Sequence, residues 1–304
     1  MKKNKKVLIV GGTGFIGYHL AKKCLKKGWD THSLSSNKPT KKRFLKNVKY
    51  ILCDISIKRS LKNKLKDKYN YVVNLGGYVD HSNIKKTYKS HFLGCKNLSE
   101  IFIKNQISSF IQIGSSSEYG RNKSPQHEKL NCKPTSIYGR SKLLATQHLM
   151  NLYYKKKFPC TILRLYQVYG PFQDYNRFIS FVIKSCIKND NFPCSHGNQF
   201  RDFIYVSDVV DAIMKTLTKE KSNGKIINIG SGKVKKIKNV IEIIRSLVQG
   251  GKPEYGIIKL RKDEMAYISP NLKLSKNLLN WKPKMSFKKG LNKTIKHIKK
   301  DLET

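Results

Sequence analysis

Tyr138 and Lys142 stand four apart in the run Tyr138-Gly139-Arg140-Ser141-Lys142. At the start of a helix, that spacing puts both side chains on one face. A neighbouring ammonium favours the phenolate, so it would lower the pKa of Tyr138 and let the phenol trade a proton near neutral pH. Ser115, at the end of an earlier apolar run, offers a hydroxyl to hold a substrate oxygen. Taken alone, a Tyr-x-x-x-Lys pair marks a solvated helix face just as well. The order along the chain decides: a glycine turn, then strand-end serines, then the tyrosine and lysine, all within one alternating unit.

The elements that must position these groups begin with Lys5-Lys6-Val7-Leu8-Ile9-Val10, which runs into Gly11-Gly12-Thr13-Gly14-Phe15-Ile16-Gly17. A continuous apolar run suits a parallel strand buried on both faces. Residues 18–25 follow with helical periodicity. Gly11 makes the tight turn, Gly14 lets the main chain approach a pyrophosphate, and Gly17 lets the helix pack on the strand. The helix N-terminus then offers free N–H groups and a positive dipole end to phosphates. A strand before and a helix after lift this triplet above an ordinary turn and predict a dinucleotide site.

Further strands are predicted at 29–35, 48–53 (ending at Asp54), 71–75 (ending at Gly76-Gly77), 110–113 (ending at Gly114-Ser115) and 160–165. Helices are predicted near 89–105 and from Tyr138 onward. This alternation predicts the α/β class: a Rossmann doubly wound parallel sheet with a smaller C-terminal substrate-binding lobe. Residues 1–170 read as the NAD(P)-binding part and 171–304 mainly as the substrate lobe, with about 200–245 returning to the sheet through the run 225–229. Ligands in such sheets bind at the carboxyl ends of strands.

Composition narrows the classes further. No apolar run is long enough to span a bilayer, and the lysine-rich start does not resemble a secretory signal. The seven cysteines are scattered and form no CxxC pair, which predicts no metal site, no disulfide framework and a cytoplasmic setting. A net charge of +43 suggests a polyanionic partner. The lysines, however, are spread thinly along the whole chain, with no arginine-rich arm and no finger spacing, so no specific nucleic-acid binding is expected.

The motifs together resemble the extended short-chain dehydrogenases/reductases, of the nucleotide-sugar epimerase, dehydratase and reductase type. Matching segments run nearly end to end: GGTGFIG at Gly11, CDIS at Cys53, VVNLGG at Val72, IGSSSEYG at Ile113, YGRSK at Tyr138, LRLYQVYGP at Leu163, RDFIYVSDVVDAI at Arg201, NIGSG at Asn228 and LLNWKP at Leu278. The resemblance implies a catalytic group of Ser115, Tyr138 and Lys142, with Ser115 four positions before Tyr119 of the Tyr-Gly pair. It implies a cofactor lined by Gly11, Thr13, Gly14, Phe15, Ile16, Gly17, Ser35, Ser36, Asn37, Asp54, Ile55, Leu75, Gly76, Gly77, Tyr166 and Val168, with Lys142 on the ribose hydroxyls and Tyr138 beside the nicotinamide. Ser116, Ser117, Gln167, Arg201 and Arg261 are the implied contacts to a nucleotide-diphosphate sugar, the arginines suiting diphosphate by charge and fork geometry. A surface Arg201–Asp202 ion pair is the plainer alternative for that arginine. A homodimer is the family's habit.

Three departures refine this. NAD-binding members carry an acid at the end of the second strand; here stand Ser35, Ser36, Asn37 and Lys38, followed by Lys41, Lys42 and Arg43, so NADP(H) is favoured over NAD(H). Dehydratases carry an Asp-Glu pair after the catalytic Ser/Thr; Ser116-Ser117 stand there instead, which disfavours dehydration. His91 occupies a position where the family more often has Asn. The expected activity is hydride transfer at a sugar carbon, C4 by expectation, leaning to a 4-ketoreductase of a nucleotide-linked deoxy sugar. The alternatives are a nucleotide-sugar 4-epimerase and, in another class, a non-catalytic RNA-associated or regulatory protein.

Overall fold

The apolar run ahead of the glycines forms β1 (Lys6–Val10), whose last four side chains are buried, in a computed structural model that describes residues 5–78, 80, 82–260 and 264–303. After it come α1 (Phe15–Lys26), β2 (Asp30–Ser35), β3 (Val48–Leu52), α2 (Lys58–Lys64), β4 (Tyr71–Asn74), α3 (Ile84–Tyr88), α4 (Gly94–Phe102), β5 (Ser109–Ser115), α5 (Ile137–Lys156) and β6 (Cys160–Leu165). The later part holds β7 (Gln167–Tyr169), α6 (Phe178–Ile187), β8 (Asn191–Cys194), β9 (Phe200–Tyr205), α7 (Val206–Leu217), β10 (Lys225–Ile229) and β11 (Val234–Lys236). It ends with α8 (Ile237–Val248), β12 (Lys252–Tyr255), β13 (Tyr267–Ile268), α9 (Lys273–Leu279) and α10 (Phe287–Glu303).

Seven strands form one parallel sheet in the order β10-β6-β5-β4-β1-β2-β3. The chain moves outward from β1 to β3, then returns to place β4 on the other side of β1. That reversal opens a crevice at the carboxyl ends of β1 and β4, where such sheets receive ligands. Helices cover both faces, which is why the strands read as continuous apolar runs rather than alternating ones. Leu20, Cys24, Val209 and Ile213 pack on one face. Cys95, Leu98, Phe102, Ala145 and Leu149 pack on the other.

The smaller lobe is built from β7, β9, β11 and β13 in one sheet and β8 with β12 in another, over a third core that includes Ile183, Val240, Ile244, Leu291 and Ile298. Within 200–245, β10 joins the large sheet beside β6 and α7 packs on its face, whereas β9 and β11 belong to the small one. The helix predicted near 89–105 is interrupted: a π-turn at Lys89–Leu93 joins α3 to α4, and α4 ends at Phe102. At the junction Gly94 lies against Ile55, whose Cδ1 would sit 2.4 Å from a β-carbon placed there. No helix among the described residues is long and apolar enough to cross a membrane.

Candidate active site

The glycine turn fits a dinucleotide by its backbone alone. Gly11 has φ +79°, a left-handed conformation that favours glycine, and its N–H donates to Leu34 O at 2.7 Å. A β-carbon on Gly17 would lie 2.2 Å from Gly11 O, so only glycine lets α1 sit this close to β1. No side chain caps α1 at Gly14, which leaves the first helical N–H groups pointing into the crevice mouth as anion donors. Across the reversal, buried Asn74 donates to Gln112 Oε1 at 2.7 Å and accepts the Gly76 N–H at 3.0 Å, which fixes the Leu75–Gly77 turn. Ser35 Oγ accepts from Thr13 N–H at 3.4 Å, and Ser36 and Asn37 are exposed beside it. Asp54 turns back to accept from Ser56 N–H, while Ile55 is buried and its carbonyl is taken by Asn97.

Ser115, Tyr138 and Lys142 meet at the carboxyl end of β5. Ser115 ends the strand and Tyr138 lies in the first turn of α5, which Ser136 caps by accepting Gly139 N–H. The Ser115 hydroxyl is hydrogen-bonded to the phenol of Tyr138. Lys142 is only 4% exposed; its Nζ donates to Ile113 O at 2.7 Å and lies 5.8 Å from the centre of the Tyr138 ring.

The direction of the tyrosine's pKa corrects the expectation from sequence. Burial raises it, the Ser115 hydrogen bond opposes that rise, and the Glu118 carboxylate adds to it. Burial pulls Lys142 down to about 8. His91, on the π-turn, packs edge-on against Tyr138 with ring centres 5.0 Å apart, and its Nε2 lies 3.1 Å from Tyr78 O. Its ring fills the space beside Gly77, where a β-carbon would come within 2.0 Å of Cε1.

The family model for the NAD-dependent epimerase/dehydratase family matches residues 7–230, the whole stretch that builds this crevice. The chain belongs to that family. Among relatives, the CDP-abequose synthase of Salmonella muenchen is 28% identical, over 96% of this chain and 97% of that protein. A putative UDP-glucose 4-epimerase of Methanocaldococcus jannaschii is also 28% identical, over 98% of this chain and all of its own length. The UDP-glucose 4-epimerase of Thermotoga maritima, solved with UDP-glucose, superposes with a TM-score of 0.90 at 24% identity, covering 98% of this chain and 99% of that one. This is an enzyme family of nucleotide-sugar chemistry on a Rossmann sheet, and this epimerase/dehydratase-family chain shares that fold.

On the side expected to face substrate, this family member departs from the sequence reading in several places. Arg201 is buried, and its guanidinium pairs with the Glu264 carboxylate and donates to Phe200 O. The surface Arg201–Asp202 pair does not form, because Asp202 is buried and accepts from Ser231 N–H and Oγ. Arg261 lies outside the described residues. Gln167 is exposed and Val168 half-buried on β7. Tyr166 is buried with its hydroxyl donating to Gln126 Oε1 at 2.9 Å. Ser116 is half-buried and Ser117 exposed, the latter donating its N–H to Ser115 Oγ at 3.1 Å. Two of the cations near β2 are committed elsewhere: Arg43 donates to Phe172 O and pairs with Asp174 at 2.6 Å, and Lys42 pairs with Asp301 at 2.6 Å.

Sequence reasoning missed Glu118 and Arg164, a buried ion pair directly beneath Ser115. A signal was present: Ser115-x-x-Glu118 has capping-box spacing, and the box forms.

Proposed function

We propose that this protein is an NAD(P)-dependent nucleotide-sugar oxidoreductase acting at a sugar carbon, C4 by our reading, and that it reduces a 4-keto sugar. The observation that carries this reading is Tyr138, hydrogen-bonded to Ser115 and flanked by Lys142 at the mouth of the glycine crevice. The bound nicotinamide would supply or accept hydride. Gly11, Gly14 and Gly17 would admit the pyrophosphate to the α1 N-terminus, and Lys142 would hold the ribose hydroxyls. Tyr138 would hand its proton to the sugar oxygen while Ser115 holds that oxygen by a hydrogen bond. Burial keeps the phenol protonated at neutral pH, and a protonated phenol is the form that reduction of a carbonyl requires. Glu118, the acid next to Ser116-Ser117, is turned into the protein against Arg164 and is no candidate for eliminating water from a sugar.

The absence of an acid at Ser35–Asn37 supports acceptance of a 2′-phosphate, so NADP(H) is part of the proposal. Its support rests on Ser35, Ser36, Asn37 and the neighbouring Lys38 and Lys41, since Arg43 and Lys42 hold other partners. A cytoplasmic homodimer completes the reading, testable by sedimentation. The second reading, an epimerase that keeps its cofactor, is favoured by the likeness to UDP-glucose 4-epimerases.

The deciding experiment offers the protein dTDP-4-keto-6-deoxyglucose with NADPH or NADH, and separately UDP-glucose alone. NADPH consumed mole for mole with the keto sugar supports the reductase. NAD(H) retained through purification, with UDP-glucose converted to its C4 epimer and no net cofactor change, replaces it with the epimerase.

A further inference from the structure

A carboxylate with no exposed surface lies directly under the reacting group. Glu118 is 0% exposed, and its Oε1 accepts the Ser115 N–H at 2.8 Å. Its Oε2 takes the Thr146 hydroxyl at 2.8 Å and both Nε and Nη2 of Arg164 at 2.9 Å. Arg164 is 1% exposed, and its guanidinium carbon sits 4.4 Å from the centre of the Tyr119 ring. Burying two charges is costly, and well-packed apolar residues of similar volume often serve stability as well or better. What apolar residues cannot do is accept the Ser115 N–H and the Thr146 hydroxyl, as this carboxylate does.

Geometry ties it to the end of β5 and to α5. Tyr138, Lys142 and Thr146 are spaced by four along α5 and share one face. Thr146 bonds Glu118, and Lys142, one turn earlier, bonds Ile113 O on the strand that ends at Ser115. We propose that Glu118 is a positioning residue: its carboxylate fixes the main chain of Ser115 against Tyr138 and, through Thr146, holds the α5 face that carries Tyr138 and Lys142. The inference rests on the reading of Ser115, Tyr138 and Lys142 as the catalytic group.

The charged and titratable neighbours set the sign. Lys142 faces Glu118 from the turn after β5, Tyr138 on its own helix, and Cys95 from α4, whose thiol burial keeps neutral. Tyr138 faces Ser115, Glu118, Lys142, the His91 ring and, from the residue preceding α6, Arg177. Burial lowers Lys142 and Glu118 opposes the fall; burial raises Tyr138 and Glu118 adds to the rise. Losing the carboxylate therefore moves both titrations to lower pH.

The test is Glu118→Gln in the holoenzyme labelled with [13Cζ]tyrosine, with Tyr138 identified as the resonance lost in Tyr138→Phe. We expect Tyr138 to titrate at lower pH than in the wild type, and the alkaline limb of hydride transfer to move the same way. Glu118→Gln leaves Arg164 buried without its countercharge, so Glu118→Gln/Arg164→Met, which removes both charges, is the second variant and should move Tyr138 the same way by a smaller step. An unchanged Tyr138 titration in either folded variant overturns the inference. So does a double variant that cannot be recovered folded, which would assign the pair to folding alone. Hydride transfer surviving in Tyr138→Phe would instead overturn the catalytic reading, a separate outcome.

Discussion

Replacing Gly17 with alanine adds one carbon, and the structure says where it must go. The new β-carbon would lie 2.2 Å from Gly11 O and 2.6 Å from Gly12 Cα. An ordinary C···O approach is about 3.3 Å, so one or other backbone segment must move by roughly 1 Å. Both obstacles are main chain, and neither can rotate away. Overpacking of this kind costs about 1–3 kcal/mol, against which alanine's better helix propensity returns at most ~1 kcal/mol. Two main-chain collisions put the loss at the upper end, so a net of about 1–2 kcal/mol remains and, at about 2–4 °C per kcal/mol, the melting temperature should fall by roughly 2–8 °C.

Gly14→Ala makes the informative contrast. Its β-carbon would stand 3.2 Å from Gly11 O, tight but tolerable, and on the proposed reading of Gly14 it would crowd an approaching pyrophosphate. That variant should melt within about 3 °C of the wild type yet bind NAD(P)H at least about tenfold more weakly, a loss of ~1.4 kcal/mol. Differential scanning fluorimetry and titration calorimetry on the two proteins decide the matter. A Gly17→Ala protein as stable as the wild type, or a Gly14→Ala protein with undiminished cofactor affinity, refutes this account of the turn.

Other outcomes follow from groups away from the turn. Tyr138→Phe should lower hydride transfer by about 10²–10⁴-fold with cofactor affinity little changed; a smaller loss, read by nicotinamide absorbance, would remove the phenol from the chemistry. Asp67 is held down to about 2, chiefly by its hydrogen bond to Lys6 and then that to Lys49. A depressed native pKa contributes stability that is present above the unfolded value of about 4 and lost as pH falls through the native one. Urea unfolding of wild type and Asp67→Asn should therefore differ at pH 6 and converge between about pH 4 and pH 2. Arg43→Ala should cost about 1–2 kcal/mol, from the charged bond to Phe172 O and the pair with Asp174, and leave the NADPH-to-NADH affinity ratio within about twofold. A tenfold fall in that ratio would mean Arg43 leaves those partners for a 2′-phosphate.

What the sequence discloses about this molecule follows range and burial. The glycine turn, the alternation of strand and helix, and the four-residue spacing of Tyr138 and Lys142 are local patterns, and each lies where its pattern puts it. The pKa of Tyr138 is not local: it depends on how deeply the ring is buried and on Ser115 and Glu118, which reach it from another element. Nor is the engagement of Arg201, whose partner Glu264 is 63 positions away. The cations after β2 show the same limit, since Arg43 finds Phe172 some 129 positions later. The Ser115–Glu118 box is the intermediate case, legible as a cap but not as a cap that also carries Arg164.

The place of β10 has a consequence for how the chain is made. Residues 225–229 supply the strand that covers the free edge of β6, yet about 60 residues, including β7, α6, β8 and β9 of the smaller lobe, are synthesised between the two. At roughly 5–20 residues per second, the edge stands open for about 3–12 s on the ribosome. Throughout that interval β6, with all six side chains buried in the finished protein, presents unpaired N–H and C=O groups to any other chain nearby. The nascent protein is therefore at its most vulnerable just before residue 225 emerges, and stalling there should draw chaperones that stalling after residue 230 does not.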